Sequence, residues 1–248
     1  MATYRSLRRN LRRNITPYND AKMEMPSFVN RLVSFLLALI LAISTPVIII
    51  PAAANFIFRI PDLYNFDLNR TAKLKEAEIN LKPNQIGSHI SSYMRGKTDK
   101  FDLTSKSEEI TKQVFNANDA ANMRSLRDFL DSTTKWPIIA LVVFLALFFV
   151  LFKMERYRYI RTAYTIGWIL TLIGIGLATY AYFDKTVRNQ IWKDYLGIEM
   201  GKNDGLSILF GDELFLFGII GSSAIALVIM IIMGSATFAL TKGRQRMF

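Results

Sequence analysis

Four long runs without a charged side chain constrain this chain more than any other feature. They are Leu32–Phe58, Trp136–Phe152, Ala163–Phe183 and Leu214–Leu240. Crossing the hydrocarbon core of a bilayer takes about 20 residues of helix, with a range of about 17–25. At this length only a helix satisfies its own backbone polar groups in lipid. The runs therefore predict four transmembrane helices. The first contains Pro46 and Pro51, which predict a kink or an unwound upper end. It starts well inside the chain and is too long for a signal-peptide core, so it is expected to remain as a span.

Lys and Arg in the short flanks set the expected orientation. The N-terminal arm holds Arg5, Arg8, Arg9, Arg12 and Arg13, the short link after the second run holds Lys153, Arg156, Arg158 and Arg161, and the tail holds Lys242, Arg244 and Arg246. Four spans put all three segments on one side, and the positive-inside rule makes that side the cytoplasm. The expected layout is a basic cytoplasmic arm (1–31), span one (32–58), an extracytoplasmic segment (59–135), span two (136–152), a cytoplasmic link (153–162), span three (163–183), a second extracytoplasmic segment (184–213), span four (214–240) and a cytoplasmic tail (241–248). The fold class is thus an integral membrane, mainly α protein, with four transmembrane helices and a small cap built from 59–135 and 184–213. The chain is expected in the plasma membrane, multi-pass, with both termini inside. A net charge of +11 invites a nucleic-acid reading. No aromatic-interleaved platform accompanies the arginines, and a basic arm before a span suits anionic lipid at about 1 kcal/mol per residue, so membrane lipid is the expected partner.

Within the first outer segment, "IPDLYNFDLN" reads as extended, with Pro61 barring a helix start. "KPNQIGSHISSYMRGK" reads as a short amphipathic helix with an Ile86, Ile90, Tyr93, Met94 stripe, stopped by Gly96. "FDLTSKSEEITKQVFN" fits strand or helix. Asn118 is a plausible N-cap, with Asp119 in the first turn, for a helix that runs on into span two despite Pro137. In the second outer segment Trp192 and Tyr195 have interfacial character, "KNDG" is a turn, and "LSILFG" is apolar enough to pack under the cap.

The chain has no cysteine and a single histidine, His89. That leaves no thiol nucleophile, no thiolate metal site and no two-histidine chemistry; neither metal nor cofactor is expected. Polar neighbours suggest a solvated His89. "Asn69-Arg70-Thr71" matches a glycosylation acceptor by pattern alone. Gly218, Ser222 and Ala226, spaced by four in span four, are expected to let a neighbouring helix approach. No carboxylate or lysine lies within a span, which argues against a proton-coupled transporter or an ion-conducting pore.

The stretches "YMRGK", "VFNANDAANMRSLRDFL" running into span two, and "RNQIWKDYLGIEMGKNDGLSILFGDELFLF" leading into span four resemble the lipoprotein intramolecular transacylases of Gram-positive bacteria. The resemblance covers the layout of most of the chain and residues only in these patches. In that family an acyl chain on a lipoprotein's diacylglyceryl cysteine moves to the cysteine's own amino group, and two outward-facing histidines are thought to carry the transfer. Here Asn122, ahead of Met123-Arg124-Ser125-Leu126-Arg127, stands where the first is expected. The second falls near Arg188 and Asn189. Trp192, Asp204 and the apolar run before span four fit the family's pattern. An amide takes no proton near neutral pH and an arginine stays charged. The resemblance therefore implies an outward-facing lipid or lipoprotein cleft, with Tyr93, Asn122, Met123, Arg188, Trp192 and Asp204 as binding candidates. It makes a non-catalytic binding or accessory protein the leading reading, partnered by lipid, lipoprotein or another membrane protein and by no nucleic acid. The alternative is an intramolecular acyl transferase, with His89, Asn122, Arg188 and Asn189 as catalytic candidates.

Overall fold

A computed structural model describes residues 27–70, 73–106, 111–199, 201, 204–210 and 213–242. Residues 1–26 of the basic arm, the last six residues and Thr71 of the glycosylation pattern lie outside the described residues. Four helices are long and apolar enough to cross a membrane. They are α1 (Ser27–Ile57), α5 (Ala117–Lys153), α6 (Tyr157–Phe183) and α9 (Glu213–Lys242). Between them lie α2 (Pro61–Arg70), α3 (Lys73–Glu76), α4 (Pro83–Met94), strands β1 (Thr104–Lys106) and β2 (Thr111–Gln113), α7 (Lys185–Gln190), a π-helical turn (Ile191–Leu196) and α8 (Gly205–Leu209). The chain is an integral membrane protein, mainly α, with four spans.

Helix α1 is the hub and packs on α5, α6 and α9. It is continuous through Pro46 and Pro51, so the expected unwound end is absent. Large apolar side chains such as Ile138, Val142, Leu145 and Phe149 of α5 are exposed along the spans, the surface that lipid covers and water would not tolerate. In the small-residue stripe of α9, Gly218 and Ala226 serve close approach, while Ser222 lines a cavity. A Cβ on Gly218 would meet the Phe58 ring, and Ala226 is buried with Ile49 and Ala53 of α1.

Helix α5 has 37 residues and is therefore about 55 Å long, whereas the hydrocarbon core needs only about 30 Å. The excess is its polar first half, which enters a head at one end of the bundle. Pro137 sits inside the helix without ending it. The head has one core, drawn from both segments between spans: Tyr64, Ile86, Ile90, Phe101, Phe115, Leu126, Leu206 and Phe210 belong to a single buried cluster. The "LSILFG" stretch packs beneath it through Leu206, Leu209 and Phe210.

Two readings of the head are corrected. The segment after Pro61 is the helix α2, not an extended run. Proline needs no N–H donor in a first helical turn, and Leu63, Tyr64 and Leu68 then share a buried face. The N-cap of α5 is Asn116, not Asn118. Asn116 and Asp119 form a reciprocal capping box, and Asn118 is turned outward to bind Asp204. The ambiguous 101–116 stretch pairs as a short antiparallel hairpin, Thr104 opposite Gln113 and Lys106 opposite Thr111. Helix α4 forms as expected, with Ile86, Ile90, Tyr93 and Met94 all buried. It stops at Gly96, which takes φ +71°.

Candidate functional site

Two structures meet where the head joins the spans: a polar clasp and, one helical turn below it, an apolar groove.

The clasp fastens the start of α5 to residues 199–206. The buried Asp119 carboxylate accepts from three backbone N–H groups: Asn116 at 2.9 Å, Gly205 at 2.9 Å and Leu206 at 3.0 Å. Asp204 accepts from the Asn116 side chain at 2.9 Å, the Asn118 side chain at 2.6 Å and the Gly201 N–H at 2.6 Å. Burial pushes the Asp204 carboxyl up, but these hydrogen bonds outweigh it and hold the group below the usual range. Gly205 is required by space, since a Cβ there would meet the Val114 carbonyl. Asn122 belongs to the same clasp. Its Nδ2 donates to the Glu199 carbonyl at 2.9 Å, and its Oδ1 accepts the Glu199 N–H at 3.0 Å. Both ends of the amide are thus bound to the backbone of one residue. Asn116, Asp119 and the backbone of Glu199, Gly205 and Leu206 were missed by sequence reasoning. The only signal available was the density of Asn and Asp in "NANDAAN".

The groove has a volume of about 300 Å³. Helix α5 supplies Leu126, Phe129 and Leu130; α6 supplies Ala178, Ala181 and Tyr182; α9 supplies Phe215 and Ile219. The π-helical turn supplies Ile191, Trp192 and Leu196. In π geometry residues five apart stack, which sets Ile191 and Leu196 on one side. Trp192 lies 4.3 Å from Phe215, ring centre to ring centre. Arg188 of α7 alone carries charge among the described lining residues. Its guanidinium lies 5.4 Å from the centres of both the Tyr182 and Trp192 rings, a doubly aromatic setting that suits arginine. A smaller cavity of about 130 Å³ continues toward mid-bundle. It shares Ala54, Phe58, Ala178 and Ile219 and ends among Gly174, Ser222 and Ala226.

The structure brings together some sequence candidates and separates others. Arg188 and Trp192 line the groove, with Leu126, one turn along α5 from Asn122, on the facing wall. Asn122 itself reaches residue 199, and Asp204 sits in the clasp. Met123 is buried in the head core. Tyr93 is buried there too, under the Arg127 guanidinium at 5.2 Å. Asn189 is exposed on α7. His89 is half-buried rather than solvated: its ring lies 5.8 Å from that of Phe101, and its Nε2 is buried with no hydrogen-bond partner among the described residues. The helix stripe that buries Ile86, Ile90 and Tyr93 draws the residue between them partly inward.

Burial lowers the His89 pKa from the ordinary 6.5, and the Asp102 charge opposes this only in part. A histidine whose folded pKa is depressed is protonated more readily in the unfolded chain, so stability falls as pH drops below 6.5 and levels off beneath the folded value. The thermal midpoint of the detergent-purified protein is expected to fall between pH 7.5 and about pH 5, and His89→Phe is expected to flatten that slope. Asp204 does not interfere, because its contribution is lost only as pH falls below the ordinary 3.8. Burial raises the Asp119 carboxyl above that value, so its protonation favours the folded state as pH falls and opposes the His89 slope. The test is therefore the difference between the native chain and His89→Phe. An unchanged slope in His89→Phe would show that the imidazole is not buried.

Four spans and a head fastened by a polar clasp define a four-span integral membrane protein, with an apolar groove at the junction of head and spans. The fold is shared with the membrane integral lipoprotein intramolecular transacylase Lit from Bacillus cereus. One in meso structure of Lit matches with a TM-score of 0.63 and 13% identity, over 87% of this chain and 99% of Lit. A second, with a His-to-Arg mutation, matches with a TM-score of 0.67 and 14% identity, over 88% of this chain and 96% of Lit. At that identity the likeness is one of fold. No protein-family model and no curated protein sequence matches the chain.

Proposed function

We propose that the protein binds the diacylglyceryl end of a lipid or lipoprotein in its groove, from the outer leaflet, and does not transfer an acyl chain. The observation that carries this reading is the groove itself: apolar walls, a lateral position at the head–span junction, and Arg188 as a fixed positive charge beside them. Acyl chains fit the apolar walls, and an ester or phosphate oxygen suits a guanidinium. The positive-inside rule supports an outward-facing head, because Lys153, Arg156, Arg158 and Lys242 lie at the opposite end. The fold shared with a lipoprotein transacylase supports the substrate class.

Two further facts favour binding over catalysis. Transfer to an amine requires a base to take its proton. Asn122 cannot accept one and is bonded at both ends to Glu199. The ring of His89 is packed against Phe101 in the head core instead of lining the groove.

Ala178 lines both the groove and its extension and is exposed, so Ala178→Trp fills the site without disturbing the core. Ala178→Trp is expected to weaken binding of a synthetic diacyl lipopeptide by about tenfold or more, the loss of one well-packed apolar contact surface. Leu177→Trp, on the adjacent and 63% exposed position outside the groove, is expected to bind normally. Equal affinity of the two variants would remove the groove as the site.

A further inference from the structure

The end of the bundle opposite the head carries a separate cavity of about 320 Å³ between α1 and α6, lined by Phe35, Leu39, Arg158, Tyr159, Thr162 and Ile166 among others. The two helices run parallel: Gly167 approaches Thr45, and further along both chains Gly174 approaches Ile50. Residues four apart on a helix share a face. On α6, Arg158, Thr162 and Ile166 therefore form one column. On α1, Phe35 and Leu39 form another, and Arg31 stands one turn before Phe35 in the same column. Both columns have an arginine at the basic end and apolar residues deeper in the bundle. The slot is open sideways, since Phe35 is 55%, Leu39 42% and Ile166 40% exposed, and both arginines are exposed.

We infer that this slot holds one anionic phospholipid of the leaflet that meets the basic end. The phosphate sits against Arg158 and Arg31, and an acyl chain lies between the Phe35–Leu39 and Thr162–Ile166 columns. Charge complementarity selects an anionic headgroup. Among the described residues this end presents Arg31, Lys153, Arg156, Arg158, Arg161 and Lys242 against Glu155 alone. Tyr159 has the amphipathic ring found at headgroup level. From Arg158 to Ile166 the column spans about 12 Å, close to the depth of one hydrocarbon leaflet of about 15 Å. A lipid here would fix α1 against α6, independently of whatever the groove at the head binds.

Native mass spectrometry of the full-length protein in mild detergent tests this, with phosphatidylglycerol and phosphatidylcholine of identical chains as probes. The first phosphatidylglycerol is expected to be retained better than phosphatidylcholine by about tenfold or more, the effect of two basic residues near a headgroup. Arg158→Gln is expected to reduce that preference about fivefold. Thr162→Phe, at an exposed position that fills the slot, is expected to lose the bound lipid while the thermal midpoint holds. Lys242→Gln, basic and at the same end but off the slot, is expected to retain it. Equal retention of both lipids, unchanged retention in Thr162→Phe, or a loss in Lys242→Gln equal to that in Arg158→Gln would overturn the site in favour of diffuse surface charge.

Discussion

Asp119→Ala is expected to destabilise the protein by about 4 kcal/mol, the largest effect of any single polar substitution in the head. The carboxylate accepts N–H groups from Asn116, Gly205 and Leu206. A buried donor left without a partner costs about 1–3 kcal/mol, and alanine strands all three. The Asn116 bond among them is the Asp119 half of the capping box. For a chain of this size each kcal/mol shifts the thermal midpoint by about 2–4 °C, so a fall of about 10 °C is expected in detergent. The measurement separates two roles. A loss of only about 1 kcal/mol would mean that Asp119 merely completes the capping box of α5 and that its bonds to Gly205 and Leu206 hold nothing together. The full loss means that the carboxylate fastens the second segment of the head to the first.

The second large effect concerns acyl transfer. In a lipoprotein-producing host without other N-acylating enzymes, this protein is expected to leave lipoproteins diacylated, with a free amino terminus. An attacking amine must first lose a proton, and a histidine with a pKa near 6.5 is suited to take it. Absence of a general base costs about 10²–10⁴-fold in rate, enough to remove product from a steady-state culture. Mass spectrometry of the lipoprotein N-terminal peptide reads the result. An N-acyl, S-monoacyl product that vanishes in His89→Ala would show that the lone histidine moves from Phe101 into the groove.

The spans were legible because uncharged apolar runs of that length have almost no other use, and the polar start of α5 was legible because its charges stop abruptly at Trp136. The head was legible in part. Helix α4 shows a clean stripe and a stopping glycine. Helix α2 was hidden because Pro61 was read as a barrier when it occupies the one turn of a helix that tolerates proline. The N-cap was displaced by two residues because Asn116 and Asn118 both have capping chemistry. Only the tertiary partner, Asp204, decides which one turns outward. The clasp was not legible. The bonds that join its two segments link residues more than 75 apart in sequence, and most of its donors are backbone N–H groups with no sequence signature. Of the groove, Arg188 and Trp192 stood out as a charge and an indole near an interface. Leu126, Ala178 and Ile219 did not, because apolar residues on a lipid-spanning helix look alike whether they face lipid, a neighbour or a cavity.

The central claim is that the groove between α5, α6, α9 and the π-helical turn receives the diacylglyceryl group. Its most direct test is photo-crosslinking of the full-length protein in vesicles with a diacyl lipopeptide carrying a diazirine on one acyl chain, followed by peptide mapping. The expected adducts lie on Leu126–Leu130, Ala178–Tyr182 and Ile191–Leu196, and they disappear in Ala178→Trp. Adducts spread evenly over the lipid-facing residues Ile138, Val142, Leu145 and Phe149, and unchanged by Ala178→Trp, would contradict it.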